Sequence, residues 1–76
     1  MRMYQRIREL RKARGQSQVH MAQLLNVAQT TYSDYERGRI NLPTEMLIAL
    51  ARYYNTSVDY LLGLTDVTEP YPAAEQ

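Results

Sequence analysis

Cysteine, tryptophan and phenylalanine are all absent from this sequence of 76 residues. Without cysteine the chain can form neither a disulfide framework nor a thiolate metal site, and this composition fits a reducing cytoplasm. No stretch approaches the ~20 consecutive apolar residues that a membrane-spanning helix needs, and the N-terminus develops no apolar signal region. The length allows one small domain, which buries only ~60% of its unfolded surface and would gain stability from a partner subunit. We therefore expect a small cytoplasmic protein that makes no contact with a membrane.

The residue groups that carry catalysis are also missing. The sequence has no Ser, His and acid arrangement, no paired carboxylates, no Gly-rich phosphate loop and no cluster of metal ligands. His20 is the single histidine and has no companion ligand, so we interpret it as a surface residue, with a phosphate contact as the alternative. The sequence predicts that the protein is not an enzyme and holds no cofactor or metal ion, and no small-molecule ligand is evident.

The net charge of +1 conceals an uneven distribution of charge. Residues 1–40 carry eight basic and three acidic side chains, whereas residues 41–76 carry one basic and five acidic side chains. A basic half followed by an acidic half is the polarity expected of a module that presents one side to phosphates. A solvated basic helix would give the same count, so the charge alone does not decide between the two.

Helix start and stop signals divide the chain into five segments. Ser17 is a good N-cap for the second segment, and Asn26 after it tolerates the left-handed backbone of a tight turn. Thr44 is expected to cap the fourth segment and Ser57 the fifth. Residues 65–76, which include two prolines, are expected to form an irregular tail behind a domain of residues 1–64. We predict helices over residues 3–14, 18–25, 28–37, 44–54 and 58–62.

The third segment separates into two faces when its residues are placed at ~100° intervals. One face carries Ala28, Tyr32, Tyr35 and Glu36. The opposite face is small and polar, and its residues are Gln29, Thr30, Ser33, Asp34 and Arg37. Such side chains let a helix backbone approach the major groove and can form hydrogen bonds with base edges. An ordinary solvated helix face shows the same periodicity, so the residues alone leave that alternative open.

The stretch from Gln18 to Arg37 resembles the helix-turn-helix of the bacterial and phage repressors of the xenobiotic-response-element or Cro-repressor type. Gln18 opens the first helix of the motif, Ala22 stands where the two helices pack closely, and Asn26 stands at the turn. Two tyrosines follow on the buried face of the second helix, which ends in the sequence Glu36-Arg37-Gly38. The resemblance extends over about residues 7–63. It implies an all-α, five-helix lambda-repressor-like domain with the motif at helices 2 and 3.

Three positions depart from the commonest pattern of that family. Asn26 stands where Gly is more usual, Ala28 where Ser or Thr often caps the recognition helix, and Gln16 where an apolar residue is usual. The absent cap is worth ~1 kcal/mol, so we expect a helix start that becomes firm only when DNA is bound. The resemblance also implies that Arg11 pairs with Glu36 and leaves an edge of its guanidinium near the DNA backbone.

The resemblance implies a transcriptional regulator that binds double-stranded DNA in a sequence-specific way. We expect a cytoplasmic, nucleoid-associated repressor, encoded by a bacterium or phage, that binds a palindromic operator as a homodimer. The expected base-reading residues are Gln29, Thr30, Ser33 and Asp34. The expected phosphate contacts are Ser17, Gln18, Arg37, Arg39 and Asn41. The expected dimer surface is Tyr60, Leu61 and Leu64.

Two alternatives remain beside this interpretation. The tyrosines at positions 32, 35, 54 and 60 are interpreted as core residues with a hydroxyl at the rim, and the alternative is that they stack on bases. At the level of the whole protein, the alternative is a protein-interaction module, such as an antitoxin-like partner or an adaptor, in which DNA binding is secondary.

Overall fold

The computed structural model describes residues 4–72 and residue 74. Within this part the chain is all-α, as expected, and the lambda-repressor-like order of five helices is confirmed. The expected start of the first helix at Met3 lies outside the described residues. None of the helices described is long and apolar enough to cross a membrane. The helices are α1 (Gln5–Ala13), α2 (Gln18–Leu25), α3 (Gln29–Arg37), α4 (Thr44–Tyr53) and α5 (Val58–Leu61).

The turn between α2 and α3 forms as the sequence predicts. Ser17 caps α2, because its hydroxyl oxygen accepts a hydrogen bond of 3.0 Å from the amide of His20. Asn26 ends the helix in the left-handed conformation, with φ 58° and ψ 46°. The amide of Val27 then donates to the carbonyl of Ala22 at 2.9 Å, so the carbonyls at the end of α2 find partners inside the turn.

The starts of α3 and α4 correct two details of the sequence analysis. Ala28 was placed on the inward face of α3, yet it is exposed, because it is the extended residue ahead of the helix and does not follow the helical period. Thr44 was expected to cap α4, and this prediction is wrong. Pro43 occupies the cap position with ψ 151°, and Thr44 is already the first helical residue. Ser57, by contrast, caps α5 through a bond of 3.0 Å from the amide of Tyr60.

A single core holds the five helices together. Each helix contributes one large side chain that is at most 1% exposed. α2 and α3 pack against each other, while α1 contacts both α3 and α5. Burying such side chains stabilises the domain by about 1.5–3 kcal/mol each before the cost of chain entropy. The five residues are Ile7, Met21, Tyr32, Leu50 and Leu61.

Gln16 shows how the core accepts a polar residue where the family usually has an apolar one. Its side chain is half-buried, and its amide nitrogen donates to the hydroxyl of Tyr53. The hydroxyl of Tyr54 in turn donates to the amide oxygen of Gln16 at 3.3 Å. Burial raises the pKa of Tyr54 to about 12, so this hydroxyl stays protonated and remains a donor. The amide therefore satisfies two tyrosine hydroxyls at the end of α4.

The described residues after α5 form no helix or strand, and they fold back onto the helices. Arg6 of α1 donates to the carbonyl of Thr65 and forms an ion pair of 2.6 Å with Asp66. The hydroxyl of Thr56 donates to the carbonyl of Thr68 at 2.6 Å. These contacts fix the described part of the tail beside α1 and α4, on elements that do not carry the helix-turn-helix.

Candidate nucleic-acid interface

The two faces predicted for α3 are present in the structure. Tyr32 is fully buried, and Tyr35 and Glu36 are 6% and 3% exposed. On the opposite face, Gln29, Thr30 and Arg37 are exposed, and Ser33 and Asp34 are half-buried. The aromatic residues therefore anchor the helix in the core, and the small polar residues point away from it.

The outward face of α3 forms one wall of a surface groove. Of the nine residues expected to contact DNA, the groove brings seven together, while Ser17 and Asn41 are exposed and do not line it. The residues that line the groove are Gln18, Gln29, Thr30, Ser33, Asp34, Arg37 and Arg39.

The end of α3 explains how Arg39 reaches this groove. Gly38 ends the helix in the left-handed conformation, with φ 73°, which a residue without Cβ adopts freely. The amide of Arg39 then donates to the carbonyl of Asp34 at 3.0 Å. This bond folds the chain back over the last turn of α3, so that the Arg37 and Arg39 side chains emerge close together.

The predicted pair between Arg11 and Glu36 is confirmed. The Nε of Arg11 lies 2.7 Å from Oε2 of Glu36, and Nη2 lies 3.1 Å from Oε1, which is a bidentate arrangement. The remaining terminal nitrogen donates to the carbonyl of Gln16 at 2.9 Å. Arg11 is 8% exposed, so only a small part of its guanidinium faces solvent. Each of its three nitrogens donates one hydrogen bond inside the protein, and the two terminal nitrogens each keep a second hydrogen.

Glu36 is the centre of a buried polar network. Besides the bonds from Arg11, its carboxylate accepts hydrogen bonds from the hydroxyl of Tyr32 and from the amide nitrogen of Gln18. Burial by itself would raise the pKa of Glu36, but these hydrogen bonds together outweigh burial and hold the pKa below its ordinary value of 4.5. Burial and the Glu36 carboxylate both raise the pKa of Tyr32 above 10. The carboxylate is therefore ionised and the phenol neutral at physiological pH.

Gln18 belongs to this network and to the groove at once. Its amide nitrogen lies 3.1 Å from Oε1 of Glu36, and its side chain is half-buried. An amide nitrogen carries two hydrogens, so a second one remains for an acceptor outside the protein. The bond to Glu36 fixes the direction of that second hydrogen before any ligand arrives.

Arg8 borders the candidate interface and is not among the residues expected from the sequence. It lines a depression beside the groove together with Gln18, Glu36, Arg37 and Arg39. The sequence signal was available, because Arg8 precedes Arg11 by nearly one helical turn, and residues three apart share a face of a helix. On that face, only Arg11 is among the residues expected from the sequence.

The expected dimer surface needs a correction. Leu61 is 1% exposed and belongs to the core of the domain, since the single turn of α5 directs it towards the other helices. Tyr60 is half-buried, and the guanidinium of Arg6 lies 4.2 Å from the centre of its ring. Leu64 is 73% exposed. Of the three expected contact residues, only Leu64 presents most of its surface to solvent.

The chain is similar in sequence to known helix-turn-helix proteins. A family model described as helix-turn-helix matches residues 7–61. Three similar proteins come from Bacillus subtilis (strain 168). The uncharacterized HTH-type transcriptional regulator YobD is 42% identical over 66 residues, which cover 87% of this chain and 59% of that protein. The HTH-type transcriptional regulator ImmR is 36% identical over 69 residues, covering 91% of this chain and 54% of ImmR.

The third relative, the HTH-type transcriptional regulator AnsR, is 38% identical over 69 residues, covering 91% of this chain and 60% of AnsR. The chain thus spans between about half and three fifths of the length of these relatives. They carry the names of transcriptional regulators, which supports the prediction that the protein is not an enzyme.

Proposed function

The chain belongs to the helix-turn-helix family of the xenobiotic-response-element or Cro-repressor type, and on this premise we propose that it regulates transcription by binding double-stranded DNA. The observation that carries the proposal is the outward face of α3, which is small and polar while Tyr32 and Tyr35 lie in the core. An α-helix with its side chains is about 10–12 Å across, and the small side chains on this face of α3 suit a major groove about 12 Å wide.

Base reading falls to the four polar residues on that face. Gln29 is exposed at the start of α3, and its amide is the group that pairs with both N6 and N7 of adenine. Asp34 accepts from the amino group of cytosine and, as an anion, repels phosphates when the sequence is wrong. Thr30 and Ser33 lie between these two residues in sequence, and their hydroxyls can donate or accept.

Phosphate contacts surround the base-reading residues. Arg37 and Arg39 lie at the trailing end of α3, and Gln18 lies at the start of α2 on the other side of the groove. Ser17 and Asn41 are exposed next to these two elements. Contacts of this kind hold the helix in register on the duplex without reading its sequence.

The protein acts as a homodimer on a palindromic operator in the cytoplasm, at the nucleoid, and represses transcription there. A single α3 reaches only about four base pairs, which is too short a sequence to specify one site in a genome. Two copies related by a twofold axis place two recognition helices in successive major grooves about 34 Å apart. The longest dimension of the described domain is 35 Å, which is comparable to that spacing.

Selection of bound fragments from random duplex DNA tests this function. The expected result is an enriched sequence with two inverted half-sites, bound with an affinity that falls steeply with salt. Replacing Arg37 and Arg39 by Gln should weaken binding to every sequence, whereas Arg52→Gln, an exposed charge on α4 outside the groove, should not. If no duplex is enriched and the protein instead captures a protein partner tightly, the interaction-module alternative replaces this function.

A further inference from the structure

We propose that Arg8 is an additional contact to the DNA backbone, made from α1 and not from the helix-turn-helix. The ligand of Arg8 would be a phosphodiester group of the DNA, which would lie in the depression that Arg8 shares with Arg37 and Arg39. The inference rests on the proposed DNA binding and adds a third helix to the surface that holds the duplex.

The depression concentrates positive charge that the protein itself does not neutralise. Arg8, Arg37 and Arg39 are exposed, and none of the three side chains forms a hydrogen bond or an ion pair with residues 4–72 or 74. Three guanidinium groups around one concave surface repel one another unless an anion lies between them. Guanidinium groups bind phosphate oxygens through paired N–H donors, so a phosphodiester suits this site.

Among the described residues no carboxylate forms an ion pair with Arg8. Glu36 lines the depression, but it is 3% exposed and its charge is matched by the bidentate contact with Arg11. Glu9, the next residue after Arg8, accepts a hydrogen bond of 3.0 Å from the amide of Gln5. Neither carboxylate is paired with Arg8, so its guanidinium remains for a ligand.

The contact between Arg11 and Glu36 determines which face of α1 borders the groove. Arg11 ties α1 to the end of α3 through two nitrogens that bond to Glu36, and its third nitrogen donates to the carbonyl of Gln16 before α2. That tie fixes the face of α1 that borders the groove, and Arg8 lies on the same face nearly one turn earlier. The buried arginine thus holds α1 in place, and the exposed arginine is the one that reaches the backbone.

Salt-dependent DNA binding by the full chain separates this contact from a general effect of charge. The logarithm of the association constant falls linearly with the logarithm of the salt concentration. Removing one phosphate contact should make this slope less steep by about 0.9, which is roughly an eightfold loss of affinity at 0.1 M salt. We expect this change for Arg8→Gln, equal on the selected operator and on a random duplex. Arg52→Gln removes the same charge from α4 and should leave the slope unchanged, because Arg52 lines neither the depression nor the groove.

The outcomes are distinguishable from those of the proposed function. If the unmodified protein binds no duplex, both the function and this contact are wrong. If it binds but Arg8→Gln behaves like Arg52→Gln, the contact is wrong while the function stands. NMR titration with inorganic phosphate, followed at the Arg8 Nε–H signal, tests whether the depression binds a free anion. Saturation by free phosphate combined with an unchanged DNA slope would identify a small-anion site and overturn the backbone contact.

Discussion

The Arg11 guanidinium contacts the Glu36 carboxylate through two hydrogen bonds of 2.7 and 3.1 Å, and this contact joins the first helix to the last turn of the third. Tyr32 and Gln18 bond to the same carboxylate, so residues from α1, α2 and α3 meet at one buried anion. A network in which every donor has a partner fixes relative positions more tightly than apolar packing alone. The hydrogen bonds to Glu36 on the inward face of α3 therefore fix the orientation of its outward face.

Replacing Glu36 by Gln should destabilise the domain by about 3 kcal/mol, because Arg11 would keep its charge in a buried place without an anion. The free energy of unfolding, measured with urea, checks this value. Glu9→Gln removes the same charge from the exposed surface of α1 and should change stability by less than about 0.5 kcal/mol. Equal effects of the two substitutions would contradict the role given to the pair.

The stability that Glu36 provides should depend on pH in a defined direction. Its pKa is below 4.5 in the folded protein, so folding favours the ionised form. The contribution is complete above pH 4.5 and is lost as the pH falls from there through the lower, folded pKa. Urea unfolding at pH 7, 4.5 and 3 should therefore show the gap between the unmodified protein and Glu36→Gln shrinking as the solution becomes acidic. A gap that is constant across this range would refute the assigned shift.

Introducing Ser at position 28 should stabilise the free protein by about 1 kcal/mol, which corresponds to about 4–8 °C in Tm. Ala28 has the extended backbone of an N-cap, with ψ 151°, but no side-chain acceptor for the first amides of α3. The matched control is Ala49→Ser, because Ala49 is exposed inside α4, where the same change should lower Tm slightly. A Tm that falls in both variants would mean that position 28 does not act as a cap.

Replacing Asp34 by Asn should raise the affinity for random duplex about threefold to tenfold at 0.1 M salt, since one negative charge is removed from among the phosphates. The preference for the selected operator should shrink at the same time, because Asn can donate as well as accept. Competition binding with operator and random duplex measures both quantities. Glu69→Gln removes the same charge from an exposed position in the tail and, as the control, should change neither.

The sequence predicted the fold well because its signals are local. Ser17 and Ser57 act as caps through their own hydroxyls, and Asn26 takes the left-handed backbone that few other residues accept. Thr44 failed as a cap because the neighbouring Pro43 already has the extended conformation that a cap needs, a competition that residue preferences alone do not resolve.

The interface was less predictable, since it depends on which side chains the fold has already used. The resemblance singled out Arg11, which is buried against Glu36, whereas Arg8, which is exposed beside Arg37, had no signal in the sequence beyond its basic charge and its place three residues before Arg11. Leu61 was expected on a dimer surface, but α5 has a single turn and directs this residue into the core. Such choices arise from the packing of distant helices, which helical periodicity does not report.

The two ends of α3 differ in how many side-chain contacts stabilise them. Its last turn is anchored through Glu36, whereas its first turn begins at Ala28 without a capping side chain. A helix held in this way can adjust its leading end to a duplex while its trailing end keeps one orientation. We expect the base pairs opposite Gln29 to vary more among bound operators than the base pairs opposite Asp34.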